Sequence, residues 1–547
     1  MGVKRFVLRL AVLGALLFGG LTSAVLAARE GATGGTTTGT TVSTVLTSSA
    51  ASVLVVSGHG WGHGLGLSQW GAYGYAQHGW TYDRILAHYY TGTTLAPAKV
   101  ATVRVLLSSD KRTSLNSSVS WSVTDSAGAK TQLDPGVLVL KPNLAIAGQP
   151  ALQPPFTFVG KQPLLVEGKP YRGKILVSSD GKRLQVIDSV GLEAYLKGVV
   201  PSEMPSNWPA ETLKAQAVAA RSYALANVTK GRGFDLYGDV RSQVYGGVDA
   251  ETTNASSAVD ATKGQIVVYN GKVADTLFFS TSGGRTASAA EATGVAVPYL
   301  VPVSDPYDNA SPYHNWGPVL LDAARVAKEL KLAAPISDVQ TTTGLSGRVK
   351  TVTVVSDGAT QLTLTGSQLR GALELRSTWF QPAFLRLLPA AKTMTYGGAV
   401  SITGLARGAA AVSLEAKPAG LDWAPAGDLV LDANGAFSAV EQPQLTTQYR
   451  LAWGDVRAGL ARISVAPRVD AQATPAGAQG TIKPVAAGAA VQLQQQAGAG
   501  WTTVTATVTD AAGAWSFTGP LQPGTYRIRC APGHGLAPGV SAALLVQ

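Results

Sequence analysis

Glu203 stands between two prolines, in Gly198-Val-Val-Pro201-Ser-Glu203-Met-Pro205-Ser-Asn-Trp208-Pro209. Each proline fixes its own φ and biases the residue before it toward extended backbone, so the spacing predicts a stiff, non-helical segment that presents Glu203. Val199, Val200, Met204 and Trp208 flank it in sequence. Should they flank it in space, loss of water would disfavour the carboxylate and raise its pKa. A protonated carboxyl near neutral pH is what a general acid acting on a glycosidic oxygen requires. A solvated loop carboxylate is the blander account of the same spacing.

Two further segments hold polar groups at spacings that could serve chemistry. Gly58-His59-Gly60-Trp61-Gly62-His63-Gly64-Leu65-Gly66-Leu67-Ser68-Gln69-Trp70-Gly71 has six glycines in fourteen residues. Glycine permits positive φ and close approach of backbone to a neighbouring surface. His59 and His63 are four apart, as metal ligands on one helical face would be, but this glycine density disfavours a helix. No Cys is near and acids are few, so a polar cleft wall of His, Gln and Trp suits a carbohydrate better; a packing loop is the alternative. The third segment is Phe278-Phe279-Ser280-Thr281-Ser282-Gly283-Gly284-Arg285-Thr286, a cluster of hydroxyls with one Arg at a strand end. A serine nucleophile is disfavoured there, because Gly-x-Ser-x-Gly is absent and no His–Asp partner can be read. A strand-end turn accounts for the same residues.

These segments need elements to hold them. Glu211 to Ala226 is rich in strong helix formers, with the early Pro209 and Glu211 as N-terminal signals. Leu213, Ala217, Ala220 and Ala224 share one face, and so many alanines imply a closely approaching neighbour. Tyr82–Tyr90 also reads as a helix. Alternating stretches at 100–106, 184–187, 265–269, 275–279, 349–355 and 361–364 read as strands. After about 390 two segments repeat each other: Val412-Ser-Leu414, Trp423, Asp432–Ser438 and Thr447–Arg450, then Val491-Gln-Leu493, Trp501, Asp510–Ser516 and Thr525–Arg527. Turn signals between short alternating strands predict two tandem β-sandwiches, joined near 467–477, with Trp423 and Trp501 in their cores rather than serving as sugar-stacking platforms.

The ends and the composition set the compartment. Lys4, Arg5 and Arg9 precede the apolar run Leu10–Leu21, and Val25-Leu26-Ala27 resembles a cleavage site, so residues 1–28 read as a signal peptide or an uncleaved N-terminal anchor. Residues 29–50 are a Gly/Thr/Ser linker. Among 547 residues, 46% are apolar and 14% charged, which excludes a disordered chain; 62 Gly and 29 Pro without a triplet period exclude collagen and favour turn-rich β structure. The single Cys530 excludes an intramolecular disulfide and a Cys-based zinc site. The net charge is +11, but no run of five basic residues points to nucleic acid. Dispersed surface Lys and Arg, or attraction to an acidic wall polymer, account for it.

Taken together, the three segments resemble the SpoIID/LytB family of stage II sporulation protein D and amidase-enhancer relatives. The family's Val-Pro-x-Glu-Met-Pro loop reads here Val200-Pro-Ser-Glu203-Met-Pro205. Its helix motif reads Thr212-Leu-Lys-Ala-Gln216-Ala-Val-Ala-Ala-Arg221-Ser-Tyr223-Ala. Ser242-Gln243-Val244-Tyr245, the Ser-Thr-Ser-Gly-Gly segment, Ser311-Pro312 with Trp316, and Leu369-Arg370 through Arg376-Ser377 and Phe380 match in order. The Gly-His-Gly segment, which usually lies near the C-terminal end of the domain, comes first here. That resembles a circular permutation and predicts that 58–92 pack beside the segment ending near Phe380.

The resemblance implies an α+β class: a SpoIID-like mixed domain at 51–390, with 51–96 as the permuted piece, followed by β-sandwiches at 391–467 and 468–547. It implies a secreted protein of the bacterial cell envelope that cleaves peptidoglycan glycan strands as a lytic transglycosylase. Glu203 would be its general acid and base. Gln69, Gln216, Arg221, Tyr245, Ser282, His59 and His63 would be its substrate-binding residues, although Arg221 could instead brace its helix. Some members carry a Cys or His, linked to zinc, where this chain has Ser282 and Arg285, so no metal and no cofactor are expected. Nucleic acid is not an expected partner, and a membrane would be met only through an uncleaved N-terminus. The competing class is a non-catalytic glycan-binding activator of a cell-wall amidase. A third is a wall-bound structural protein whose sandwiches mediate adhesion.

Overall fold

The computed structural model describes residues 45–98, 102–228, 233–356 and 358–547. The signal-peptide reading of 1–28 and most of the linker reading of 29–50 lie outside the described residues. Among the described residues no helix is long and apolar enough to cross a membrane. The class is α+β, with mostly antiparallel sheets and a few helices gathered around one of them.

Helices α1 (Gln69–Gln77) and α2 (Tyr82–Tyr89) follow the glycine-rich segment. Helices α3 (Leu192–Glu203), α4 (Ala210–Ala226) and α5 (Thr253–Ala261) form the centre. A seven-stranded sheet supports them, running from Leu236–Tyr237 through Thr102–Ser108, Leu184–Gly191, Lys174–Ser179, Phe156–Gly160 and Trp121–Thr124 to Lys130–Leu133. Its inward residues, among them Val103, Val105, Val186 and Val190, pack against Leu196, Val199 and Val200 of α3.

The alanine content of α4 now has a cause. Leu213, Ala217, Ala220 and Ala224 face the core under the seven-stranded sheet. Ala215, Val218 and Ala219 face a second core made by Leu65, Leu67, Tyr75, Ile85, Leu86, Tyr89 and Tyr90. A helix buried on both faces needs short side chains where its neighbours come close.

Residues 52–62 pack beside the segment around Phe380, part of the contact expected for 58–92. Strand Ser52–His59 pairs with strand Phe380–Pro389, with Gly58 opposite Phe380. Gly62 N–H donates to the Arg376 carbonyl at 2.9 Å, and Gly62 bridges Ser377. Strand Phe380–Pro389 also pairs with Val400–Arg407, so one five-stranded sheet crosses position 390 without a break. Val53, Val55, Leu385 and Leu387 share a core with Ile402, Leu414, Tyr449, Leu451 and Ile463. A short strand, Leu46–Thr47, adds in parallel to Val456–Ala466, which orders the end of the glycine/threonine tract. The last module has its own core of Val491, Leu493, Trp515, Phe517, Tyr526 and Ile528.

Three expectations are corrected. The stretch 467–477 is not a linker: Arg468–Thr474 and Gly477–Lys483 pair as a hairpin, with Pro475 at its turn. The 275–279 strand shrinks to Phe278–Phe279, whose parallel partner is Leu67–Ser68. Trp423 and Trp501 are outside the cores. Each is half-buried under a guanidinium, Arg450 Cζ lying 3.9 Å from the Trp423 ring and Arg527 Cζ 4.3 Å from the Trp501 ring. Phe437 and Trp515, at equivalent repeat positions, fill the cores instead.

Candidate active site

Glu203 is the last residue of α3, not part of a non-helical loop as its two prolines suggested. Pro201 sits inside the final turn, where the helix survives it for two more residues. Pro205 then forces Met204 into extended backbone, with φ −149° and ψ 158°, and the helix stops. The prolines therefore fix where the helix ends, and the end carries the carboxyl.

Burial removes water from the Glu203 carboxyl and pushes its pKa up to about 7, against a lowering pull from the Val244 N–H. That N–H donates to Oε1 at 2.7 Å. The residue as a whole still keeps partial access to solvent, as a group meant to touch a substrate must. Val244 belongs to the Ser242–Tyr245 loop, which Tyr245 N–H ties to the Gly238 carbonyl at 3.1 Å. The same loop contacts two other acidic residues. Asp239 is paired with Arg241 at 2.7 Å. Asp188 is fully buried, accepts from the Tyr245 hydroxyl at 2.9 Å, and is itself raised to about 7 by burial. Neither is free to hold a water against a sugar.

The predicted residues separate into layers. Gln69, at the start of α1, donates to the Glu203 carbonyl at 3.1 Å and approaches Gln216 Oε1 at 3.5 Å. Gln216 is fully buried in α4, so Gln69 and Gln216 hold the end of α3 from behind. Tyr245 is 6% exposed and spends its hydroxyl on Asp188. Arg221 is 0% exposed; its Nη2 lies 2.6 Å from Glu193, and it donates to the Ala217, Val259 and Gln265 carbonyls. With its donors so engaged, Arg221 braces α3, α4 and α5 and does not face a cleft.

Ser282 is also fully buried. Its hydroxyl donates to Asp308 Oδ2 at 2.8 Å, while Asp308 Oδ1 lies 2.6 Å from His314 Nδ1. The carboxylate stands between hydroxyl and imidazole, so His314 cannot take the Ser282 proton and no nucleophilic serine results. Ser282 N–H donates to Ser68 Oγ at 3.2 Å, one residue from Gln69, which ties this loop to the site.

Gly60, Gly62, Gly64 and Gly66, between and just after the two histidines, have positive φ. A Cβ on Gly66 (φ +73°) would meet the Leu277 carbonyl at 2.1 Å, and one on Gly60 (φ +72°) would meet the Thr281 carbonyl at 2.5 Å. His59 Nδ1 lies 2.7 Å from Asn315 Oδ1, beside the Trp379 ring. His63 Nδ1 accepts from Leu65 N–H at 3.0 Å, so Nε2 carries the proton and donates to the Phe278 carbonyl at 3.0 Å. His63 is exposed, and both its ring nitrogens are engaged by protein partners. Desolvation, then the charge of Arg370, pushes His63 down to about 4. Among the described residues no three His, Cys, Asp or Glu side chains group as a metal site.

One feature escaped the sequence reading. Trp70 and Tyr73 of α1 and Trp208 beyond Glu203 form a half-buried cluster, with ring centroids 4.8 to 5.5 Å apart. Trp70 and Tyr73 are three apart on a helix, a spacing that puts them on one face and could have announced the pair. Gln69, their neighbour, donates to the Glu203 backbone carbonyl, so the cluster lies beside the end of α3.

A family model described as stage II sporulation protein matches residues 180–269, the stretch that contains Glu203, α4 and the Ser242–Tyr245 loop. An uncharacterised protein of Brachyspira hyodysenteriae is 42% identical over 138 residues, covering 25% of this chain and 38% of that protein. The amidase enhancer of Bacillus subtilis is 37% identical over 142 residues, covering 26% of this chain and 19% of that protein. Stage II sporulation protein D of Bacillus subtilis is 31% identical over 215 residues, covering 36% of this chain and 62% of that protein. The chain thus spans less than two thirds of each of these relatives.

Proposed function

This chain belongs to the SpoIID/LytB family, and from that premise we propose that it acts in the bacterial cell envelope, where Glu203 cleaves peptidoglycan glycan strands as a lytic transglycosylase. The observation that carries this reading is the Glu203 carboxyl: presented at a helix end by a residue that keeps partial exposure, and raised to about 7 by burial. Such a group is protonated often enough to donate and, once ionised, basic enough to accept.

The steps balance with one carboxyl. Protonated Glu203 gives its proton to the glycosidic oxygen as the anomeric C–O bond breaks. The resulting carboxylate takes the proton of the 6-hydroxyl of the muramic residue, whose oxygen closes on the anomeric carbon. An anhydro ring forms and no water is consumed. A hydrolase would usually need a second carboxyl to activate water or to attack. The carboxyls that share the Ser242–Tyr245 loop with Glu203 are paired or sealed, which favours the route with one. Trp70, Tyr73 and Trp208 offer apolar ring faces on which a pyranose can stack.

The second reading, a glycan-binding activator of a cell-wall amidase, is favoured by the resemblance to the amidase enhancer. One experiment separates the two. The full chain and its Glu203→Gln variant are incubated with peptide-free glycan strands, and products are read by mass spectrometry. Anhydro-ended products from the native chain alone support transglycosylation. A native chain that binds glycan but yields none, and whose Glu203→Gln variant stimulates an amidase equally well, supports the activator.

A further inference from the structure

The net charge of +11 has a local counterpart. Three arginines surround the glycine-histidine segment, and among the described residues none of them has an ion pair within 4 Å. Arg348 runs directly beneath it: a Cβ on Gly64 would lie 2.7 Å from its Cζ. Arg376 is held at the segment's other side, where its carbonyl accepts from Gly62 N–H and its guanidinium lies 5.1 Å from the Trp61 ring and 4.2 Å from the Tyr313 ring. Arg370 is close enough for its charge to act on both His63 and Arg348.

Arg348 is the unusual member. It is 5% exposed, and its Nε and Nη1 are buried with no hydrogen-bond partner. Only Nη2 is used, donating to the Ser282 and Arg285 carbonyls at 3.1 Å each. The two carboxylates whose charge reaches it are committed elsewhere. Glu291 accepts from Ser346 N–H at 3.1 Å, and Asp308 holds Ser282 and His314. Burial, and then the Arg370 charge, hold the Arg348 guanidinium down to about 10. A buried guanidinium with two idle donors, beside a second cation and with no carboxylate in contact, is costly unless an anion completes it. Arginine's planar fork suits carboxylate or phosphate oxygens.

We propose that Arg348 and Arg370, beside the Gly58–Gly66 segment, form a binding site for an oxyanion, a carboxylate or phosphate group carried by an anionic polymer, with Arg376 across the segment adding a third positive charge. His63 contributes shape rather than charge, since its nitrogens are engaged by Leu65 N–H and the Phe278 carbonyl. Gly64 is required because the Arg348 guanidinium approaches the backbone on the side where a Cβ would stand. The site does not depend on the chemistry of Glu203.

The test is calorimetric titration of the full chain with inorganic phosphate, and separately with lactate as the carboxylate probe, at constant ionic strength set with chloride. At least one probe should bind saturably. Arg370→Gln should weaken that probe tenfold or more, and Glu203→Gln should leave it unchanged. Because Arg370 is half-buried and donates to the Leu375 carbonyl, its variant is checked by thermal unfolding. If it fails to fold, the half-buried Arg376→Gln serves, with a weakening of about threefold or more expected. The relative strength of the two probes identifies which oxyanion the site prefers. Absence of saturable binding by either probe, or binding unaffected by a folded arginine variant, overturns the proposal.

Discussion

Replacing Glu203 with Gln should stabilise the protein at alkaline pH and do little at acid pH. The carboxyl is lifted from 4.5 to about 7 because its charged form has lost water. Such a lift corresponds to about 3 kcal/mol against the ionised state, and partial solvent access trims it to about 1–3 kcal/mol. The sign follows from proton counts. Below about pH 4.5 folded and unfolded chains are both protonated at this site, and the native chain carries no penalty. Between 4.5 and 7 the folded chain holds a proton that the unfolded chain has released, so stability falls as pH rises. Above about 7 the full penalty is present. Gln mimics the neutral form and can still accept from Val244 N–H, so it escapes the penalty at every pH. Paired urea unfolding of native and Glu203→Gln chains, at about pH 5 and about pH 8.5, isolates the effect, because the raised Asp188 and Asp305 are common to both and cancel. The transition to follow is the one that destroys the Glu203 domain, since a chain of this size need not unfold in one step. A stability difference that is the same at both pH values would refute the desolvated-carboxyl reasoning.

Arg221→Ala should cost about 3–5 kcal/mol, because it empties a buried volume and strands the carbonyls that the guanidinium satisfies, and Lys should rescue little of it since the contact to Glu193 is bidentate; thermal unfolding measures both. Gly66→Ala should destabilise by about 1–3 kcal/mol, from positive φ and a Cβ driven into the Leu277 carbonyl, read by the same assay. Trp208→Ala, made in the Glu203→Gln background, should weaken binding of peptide-free glycan by roughly fivefold to a hundredfold through lost ring stacking; unchanged affinity would remove Trp208 from the site.

Much of this was legible in sequence, and the limits have physical causes. The α4 helix, the 265–269 strand and the packing of 58–62 against 376–380 follow from local propensity and motif order. The helical setting of Glu203 did not, because Pro201 in the last turn is a local signal that tertiary packing of Leu196, Val199 and Val200 overrode. The roles of Gln216 and Arg221 were blurred for a related reason. Spacing places a residue on a helix face, but α4 is buried on two faces, so its polar residues serve neighbouring helices rather than a cleft. Trp423 and Trp501 misled because a tryptophan shielded by arginine looks, in sequence, like one shielded by a core. The division near 390 is real as a change of composition, yet strand Phe380–Pro389 joins both sides in one sheet.

Digestion of peptide-free glycan strands in heavy-oxygen water tests the role of Glu203 most directly, with each new chain end weighed by mass spectrometry. If Glu203 passes one proton out and one back while the sugar's own hydroxyl closes the ring, the new ends are anhydro sugars without heavy oxygen, and Glu203→Gln makes none. New ends carrying one heavy oxygen, or equal cleavage by the Glu203→Gln chain, would contradict it.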